Sequence, residues 1–578
     1  MSSPHTRKTH TMKHFQPTLL AWALALSLPV WCAATAHAQS TPNIGTVLQQ
    51  IDLPRAPQTQ PAPALPAVGQ APEPAMTALA AGPSVMVQTF EVLGNRALPT
   101  AELLALLDGE AGKAHTLAQL ESLAQKITRH YRAKGYFVAR AYIPAQEVSS
   151  GTVKIRVVEG NYGNFKLRNS SRVNDAVLQG VLDHIKGHDI VSLDTLERAM
   201  LIIHDTPGVR VVQADVSPGD KVGTSDFAVQ TVATPAHSGH VALDNYGSVY
   251  TGKHRLSFSY DNHSPTGRGD LLSLSGLGTD GGGMTSGRMA YASLLHPNGL
   301  RGSVALSRTE YTLGDVYADL GAKGFANSLE LGLSYPILRT HPQTLEASLG
   351  LVKRKMEDRI QDYNTFNPKD LESLSLGLSW RHEGRLFGLE GTTGASVQGT
   401  WGRVALNDAS SRALDAAGAQ THGQFGKGSF SLTRLSQLPG NVTLTTTLKH
   451  QRAFNDKNLD ASERMSVSGI NGVYAYPAGE LSGSIATLAK VELSRPLPAW
   501  GAGSQSASVF ATKGHAKATR ATSSSDLGRS ISDVGLGWRA HYQQLQVNAH
   551  LAHRLQSAEP ASEQADRTRL LVQAAWVF

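Results

Sequence analysis

The chain has 578 residues, room for several domains, with a formal net charge of +7, aromatics at 6% and charged residues at 17%. So small a charge for this length, part of it in the first few residues, argues against nucleic acid as a partner and leaves only a generic anionic surface open. The 55 glycines, gathered with Ser and Thr in the second half, set a mainly helical protein aside in favour of a β-rich chain with many tight turns.

In chain order, Arg7, Lys8 and Lys13 precede the apolar run LLAWALALSLPVW, and Ala36 and Ala38 flank a cut after Ala38, so residues 1–38 read as an export signal. The single cysteine, Cys32, falls inside that signal behind Trp31, which is too bulky for lipoprotein processing. The exported chain then has no thiol, which in an oxidising compartment removes accidental disulfides while it is unfolded. No later segment approaches the run of about 20 apolar residues that a membrane helix needs. If the chain enters a membrane, it does so as a closed barrel.

Residues 39–84 change character. In NIGTVLQQIDL, Ile44, Val47, Leu48 and Ile51 recur at helical spacing, and a Pro-rich stretch follows that reads as a stiff, extended linker. The spacing predicts a short helix on a long tether. The alternative is a frayed terminus with chance periodicity.

Residues 85–160 and 161–235 read as two small α/β modules of the order β-α-α-β-β, each of about 75 residues, a size that folds alone but marginally. In the first, VMVQTFEV is a strand, LPTAELLALL a short helix, and Leu117, Leu120, Leu123, Ile127 and Tyr131 mark one face of a longer helix. Thr116 and Gln119 supply its capping box and Gly135 its end, before the strands FVARAYI and TVKIRVVEG. The second module repeats the order, with NFKLRN, a helix near 173–186, a helix with Leu193, Leu196, Met200 and Ile203 on one face, then VRVVQADVSP and DFAVQTV. A three-stranded sheet of this kind leaves a strand edge open.

From 236 to 578 no helical period persists. Strands with period-two alternation recur, as in RLSFSY, where Leu256, Phe258 and Tyr260 alternate with polar residues, and SLELGLSY, where Leu329, Leu331, Leu333 and Tyr335 do. About 340 such residues suit a barrel with its apolar face toward lipid, and at about 21 residues per strand and connection they make roughly 16 strands. The chain ends RLLVQAAWVF, which places Trp576 and Phe578 on one face as interface aromatics and as a C-terminal signal for insertion.

The stretches 135–163, 243–276 and 311–340, together with NGVYAYPAGE at 471–480, resemble the two-partner secretion transporters, the TpsB family of haemolysin-activator and haemagglutinin-transporter type (ShlB, FhaC), in the superfamily that includes the BamA insertase. The resemblance covers essentially the whole exported chain. It implies a mainly β fold: a plug helix, two periplasmic POTRA modules and a 16-stranded outer-membrane barrel. Through that barrel a large partner exoprotein (TpsA) would cross unfolded. It also implies the barrel assembly machinery and outer-membrane lipid as partners.

In that family an inward-folded loop carries a Val-Arg-Gly/Ala-Tyr/Phe motif, and Asn471, Gly472, Val473, Tyr474, Ala475, Tyr476, Pro477, Gly479 and Glu480 fall on it. Tyr474 stands where the family has arginine. The barrel-wall motif Phe-x-Asp-x-Gly that meets the arginine matches FATKG, in which Phe510 and Gly514 fit but Thr512 replaces the aspartate. Losing both charges together can be nearly neutral, whereas losing one would strand its partner. The expectation is a neutral Tyr474–Thr512 pairing, against the alternative of a chain drifting toward loss of function.

Other motifs carry little. GLGTDG at 276–281 opens no helix, RGD at 268–270 sits on a predicted hairpin turn, and Asp261 and Asp270 flank turns. The sequence holds no HExxH, GxSxG or GxxxxGK[ST] motif, so no enzyme, metal or cofactor is expected. The leading reading is a secretion pore for one partner, with an insertase or a passive or degenerate pore as alternatives.

Overall fold

The structure is a computed structural model that describes residues 42–51, 83–148, 150–522, 527–557 and 559–578. The expected export signal and the Pro-rich linker at 52–82 lie outside the described residues.

The amphipathic stretch near the N-terminus forms α1 (Ile44–Leu48), opened by a capping box in which Asn43 accepts from the Thr46 N–H and Thr46 bonds back to Asn43. The first module follows. Its opening strand is split at Gln88 into β1 (Ser84–Val87) and β2 (Thr89–Leu93). After α2 (Thr100–Ala105), β1 pairs with β3 (Lys113–Thr116), a strand that no pattern in the sequence announces. The helix α3 (Leu117–Ala133) carries the Thr116–Gln119 capping box and buries Leu120, Leu123, Ile127 and Tyr131. Strands β4 (Arg140–Tyr142) and β5 (Thr152–Val158) complete a sheet in the order β2-β5-β4.

The second module holds β6 (Asn161–Ser170), α4 (Asp175–His184), α5 (Leu193–His204), β7 (Val209–Pro218) and β8 (Thr224–Ala233). Its sheet runs β6-β8-β7, with β6 and β8 parallel. The helices close a core around Phe165, Leu182, Leu196, Met200 and Phe227. In both modules the last strand enters the middle of the sheet, so β2 and β4 in the first and β6 and β7 in the second remain as edges.

Sixteen antiparallel strands then close into a barrel. They are β9 (His237–Asp244), β10 (Arg255–His263), β11 (Leu271–Thr279), β12 (Met284–Leu294), β13 (Arg301–Thr312), β14 (Ala322–Arg339), β15 (Gln343–Ile360) and β16 (Thr365–Glu383). The other half comprises β17 (Gly391–Leu406), β18 (Gly423–Leu438), β19 (Val442–Ala453), β22 (Ile485–Trp500), β23 (Gly503–Lys517), β24 (Arg529–Tyr542), β25 (Leu545–Arg554) and β26 (Thr568–Val577). The two-residue strands β20 (Met465–Ser466) and β21 (Ser482–Gly483) pair within the loop between β19 and β22. Alternation sets which face is which: Leu256 and Phe258 on β10, Leu329, Leu331 and Leu333 on β14, and Leu374, Leu376 and Leu378 on β16 are all exposed outward. The strand β26 closes on β9, and Phe578 exchanges backbone hydrogen bonds with Gly239 just beyond the ladder. Trp576 and Phe578 face outward there, about half exposed.

Because β9 starts directly after the second module, the short turns lie at the module end of the barrel and the long loops at the other. The helix α5 docks on two of those turns, the ones that follow β12 and β14. The Arg198 guanidinium donates to the carbonyls of Asn298, Pro336 and Ile337, and Arg339 forms a two-pronged pair with Asp205 at 2.7 and 2.8 Å. A fork of this kind fixes orientation as well as distance.

Candidate functional site: the plugged lumen

Two segments fill part of the barrel interior. The first is α1. Ile44 and Val47 are fully buried in a cluster with Tyr250, Tyr311, Leu313, Met356 and Leu459 near the loop end, and Leu48 and Ile51 pack against its margin. Gly45 lies on the backbone of Ala461 and Ser462, where a Cβ would approach the Ser462 nitrogen to 2.6 Å. Polar contacts hold both ends of the helix. Asp358 on β15 accepts from the Ile44 N–H and from the Tyr311 hydroxyl, each at 2.7 Å, while Arg255 donates to the Gln50 carbonyl at 2.8 Å. Arg255 is itself buried and paired with Asp244 at 2.7 Å, its cross-strand neighbour on the β9–β10 hairpin.

The second segment is the long loop 454–484, which folds back inside the wall formed by β22 to β25. Its tip turns on Gly472, where a Cβ would collide with the Val467 carbonyl, and the Val473 N–H donates to that same carbonyl. Val473, Ala475 and Tyr476 are essentially without exposure, and Tyr474 is buried. Pro477 accepts from the Glu480 N–H in the turn that includes Gly479, while Asn471 stands at the edge of the open lumen. The guanidinium groups of Arg529 and Arg554 both lie over the Tyr476 ring, and its hydroxyl donates to Gln556. Glu480 pairs with Arg529 at 2.5 Å and accepts from the N–H groups of Ala561 and Ser562. The tip is thereby tied to the loop after β25 as well as to the wall.

On the wall, Phe510, Thr512 and Gly514 all face the tip, but the expected neutral pairing of Tyr474 with Thr512 is not what holds it. The Tyr474 ring packs edge-on against Phe510 and His550, and its hydroxyl accepts from the Lys490 ammonium at 2.6 Å. Lys490 also pairs with Glu492 at 3.0 Å, which Arg539 reaches at 2.7 Å. The acid stands on the next strand. Asp533 accepts from the Ala475 N–H at 2.9 Å. Thr512 is the cross-strand neighbour of Lys490 on one side and of Asp533 on the other, so the three form one row across β22, β23 and β24. Gly514 leaves room for Val467, whose side chain lies where a Cβ would stand. The tip is thus held by two charged groups, Lys490 and Asp533, on the strands either side of Thr512. Sequence reasoning missed Lys490 and Asp533, although ISDVG at 531–535 repeats, one strand later, the apolar-x-Asp-x-Gly spacing that FATKG lacks.

Opposite the tip and α1, a cavity of 580 Å³ opens along β15 to β19. Ser348, Gly377, Ser396, Gln398, Ser429 and Ser431 line it. Small hydroxyl and amide groups, with Arg255, Lys449 and Arg464 at its margins, offer a passing chain hydrogen bonds without a deep apolar surface to stick to.

The chain matches the family described as POTRA domain, ShlB-type, over residues 85–160, and the family described as haemolysin secretion/activation protein ShlB/FhaC/HecB over residues 223–540. It is 28% identical over 440 residues to the heme/hemopexin transporter protein HuxB of Haemophilus influenzae (strain 86-028NP), covering 75% of this chain and 76% of that protein. To the outer membrane transporter CdiB of Escherichia coli it is 24% identical over 441 residues, 73% of this chain and 71% of that one. The solved structure of CdiB from Escherichia coli shares the fold, with a TM-score of 0.71 at 20% identity over 88% of this chain and 93% of that one.

Proposed function

The chain belongs to the ShlB/FhaC/HecB family of haemolysin secretion/activation proteins, and on that footing we propose that it moves one large TpsA-type exoprotein, unfolded, through its barrel to the cell surface. It is an outer-membrane β-barrel transporter whose modules lie in the periplasm. The observation that carries the reading is the lumen: a closed barrel with a polar, largely hydroxyl-lined wall on one side and, on the other, a single short helix seated by side-chain packing and end contacts. The Pro-rich stretch at 52–82 gives that helix a tether long enough to leave the lumen and return. The sequence holds no GxxxxGK[ST] motif, and in this reading transport draws on folding of the exoprotein outside the cell. The barrel assembly machinery, reading the terminal Trp576 and Phe578, and outer-membrane lipid complete the partners we assign. Deleting the gene should remove one large protein from the surface and medium while other outer-membrane barrels keep their levels. A general fall in those barrels would favour an insertase instead.

Capture is assigned to the periplasmic modules. Their sheets leave β2, β4, β6 and β7 as edges, and an extended chain adding there gains main-chain hydrogen bonds with little demand on its sequence. Removing 161–234 should leave a barrel that still inserts, read by heat-modifiable electrophoretic mobility, with secretion down to background. Normal secretion from that deletion would end the capture role.

A further inference from the structure

The outer wall of the barrel carries a groove built for a ligand of a particular kind. One register row crosses six strands as Phe258, Gly276, Gly287, Arg308, Asn327 and Lys355. The row beneath it, toward the modules, continues Leu274, Met289, Leu306, Leu329 and Lys353. The two glycines make the upper row concave: Phe258 lies flat over Gly276, and a Cβ on Gly287 would meet nothing within 4 Å. The result is a groove of 720 Å³ with an apolar floor. Arg308 and Lys355 stand in its row nearest the loop end, Lys353 ends the row beneath, and no carboxylate is among its lining residues.

The position of these cations in the membrane follows from the same alternation. On β15 the outward residues run Leu345, Ala347, Leu349 and Leu351 and then change to Lys353 and Lys355; on β13, Val304 and Leu306 give way to Arg308. The change marks the top of the apolar band, where the headgroups of the outer leaflet begin. Arg308 is held in place by Asn327, which accepts from it at 3.0 Å, by the ring of Phe325 and by Glu310 above; Lys353 has Glu372 on its far side at 2.7 Å. Lys355 makes no ion pair among the described residues and faces Asp370 across the strand.

We propose that this groove seats a phosphorylated glycolipid of the outer leaflet, of the lipid A class, with an acyl chain along Leu274, Met289, Leu306 and Leu329 and a phosphate against Arg308 and Lys355. The proposal rests on the outer-membrane placement given above, but its readout is independent of secretion. The full mature chain, purified in detergent, is mixed with lipid A, with lipid A stripped of its phosphates, or with phosphatidylglycerol, and bound lipid is read by native mass spectrometry. Lipid A should be retained over both others. Arg308→Gln with Lys355→Gln should lower that retention by about tenfold or more, since each cation near a headgroup adds appreciably to binding. Gly287→Leu, which fills the floor and leaves the cations, should lower it as well. Should the double variant fail to form a barrel, Lys355→Gln alone serves, with a severalfold loss expected. Equal retention of phosphatidylglycerol, or unchanged lipid A binding in these variants, would overturn the site.

Discussion

Asp533→Ala should release the tip of the lumen loop, while Thr512→Val should leave it docked. Asp533 is the only carboxylate that accepts from the tip backbone among the hydrogen bonds described, and its loss leaves the buried Ala475 N–H without a partner. A hydrogen bond to a charged group contributes roughly 1.5–3 kcal/mol, so the ratio of docked to released loop should fall by about tenfold to a hundredfold. Thr512 adjoins Asp533 across the strands but, among the hydrogen bonds described, makes none to the tip, and Val keeps its shape. Tyr474→Phe, which removes a single bond from Lys490, should fall between the two. The measurement is direct because the sequence has no cysteine after Cys32. A single Cys at Asn471 reports the loop by its rate of maleimide labelling, with secretion scored in parallel. Equal labelling in Asp533→Ala and wild type, or equal damage from Thr512→Val, would mean that the row does not hold the tip.

The same row decides how to test the arginine that the resemblance leads us to expect at 474. Thr512→Asp would set a second carboxylate directly opposite Asp533, and like charges facing each other across strands repel. Tyr474→Arg alone would press a guanidinium against Lys490. The pair Tyr474→Arg with Lys490→Thr instead brings the new cation to the acid already present, and a double-mutant cycle should show positive coupling.

Much of the architecture is legible because alternation is a local signal. Leu329, Leu331 and Leu333 announce an outward strand face without reference to any neighbour, and Thr116 with Gln119 announces a helix start three residues apart. What stays hidden depends on register. Lys490, Thr512 and Asp533 lie about twenty residues apart in the chain, and only the β22–β23–β24 pairing aligns them. The break at Gln88 is hidden for a similar reason: VMVQTFEV reads as one strand, but its halves bond different partners, β3 and β5. The Arg255–Asp244 pair is closer in sequence, yet nothing in either residue type tells a buried lumen pair from two loop charges.

Removing residues 39–60 should raise single-channel conductance in planar bilayers severalfold, because the segment contributes the α1 contacts that narrow the loop end of the barrel. The helix is too short to be stable by itself, so its place depends on what it touches. Ile44 and Val47 each gain about 1.5–3 kcal/mol from burial, and the contacts to Asp358 and Arg255 add hydrogen bonds to charged groups. That sum is set against the entropy of ordering a tethered segment, so the net hold should be modest and reversible. Graded variants separate the contributions. Asp358→Asn weakens the bonds to the Ile44 N–H and the Tyr311 hydroxyl and should increase brief openings without a permanent rise in conductance. Adding Ile44→Ala should bring the chain close to the deletion. Conductance unchanged by the deletion would return the segment to a frayed terminus, and an Asp358→Asn channel as quiet as wild type would show that burial of Ile44 and Val47 alone keeps the helix in place.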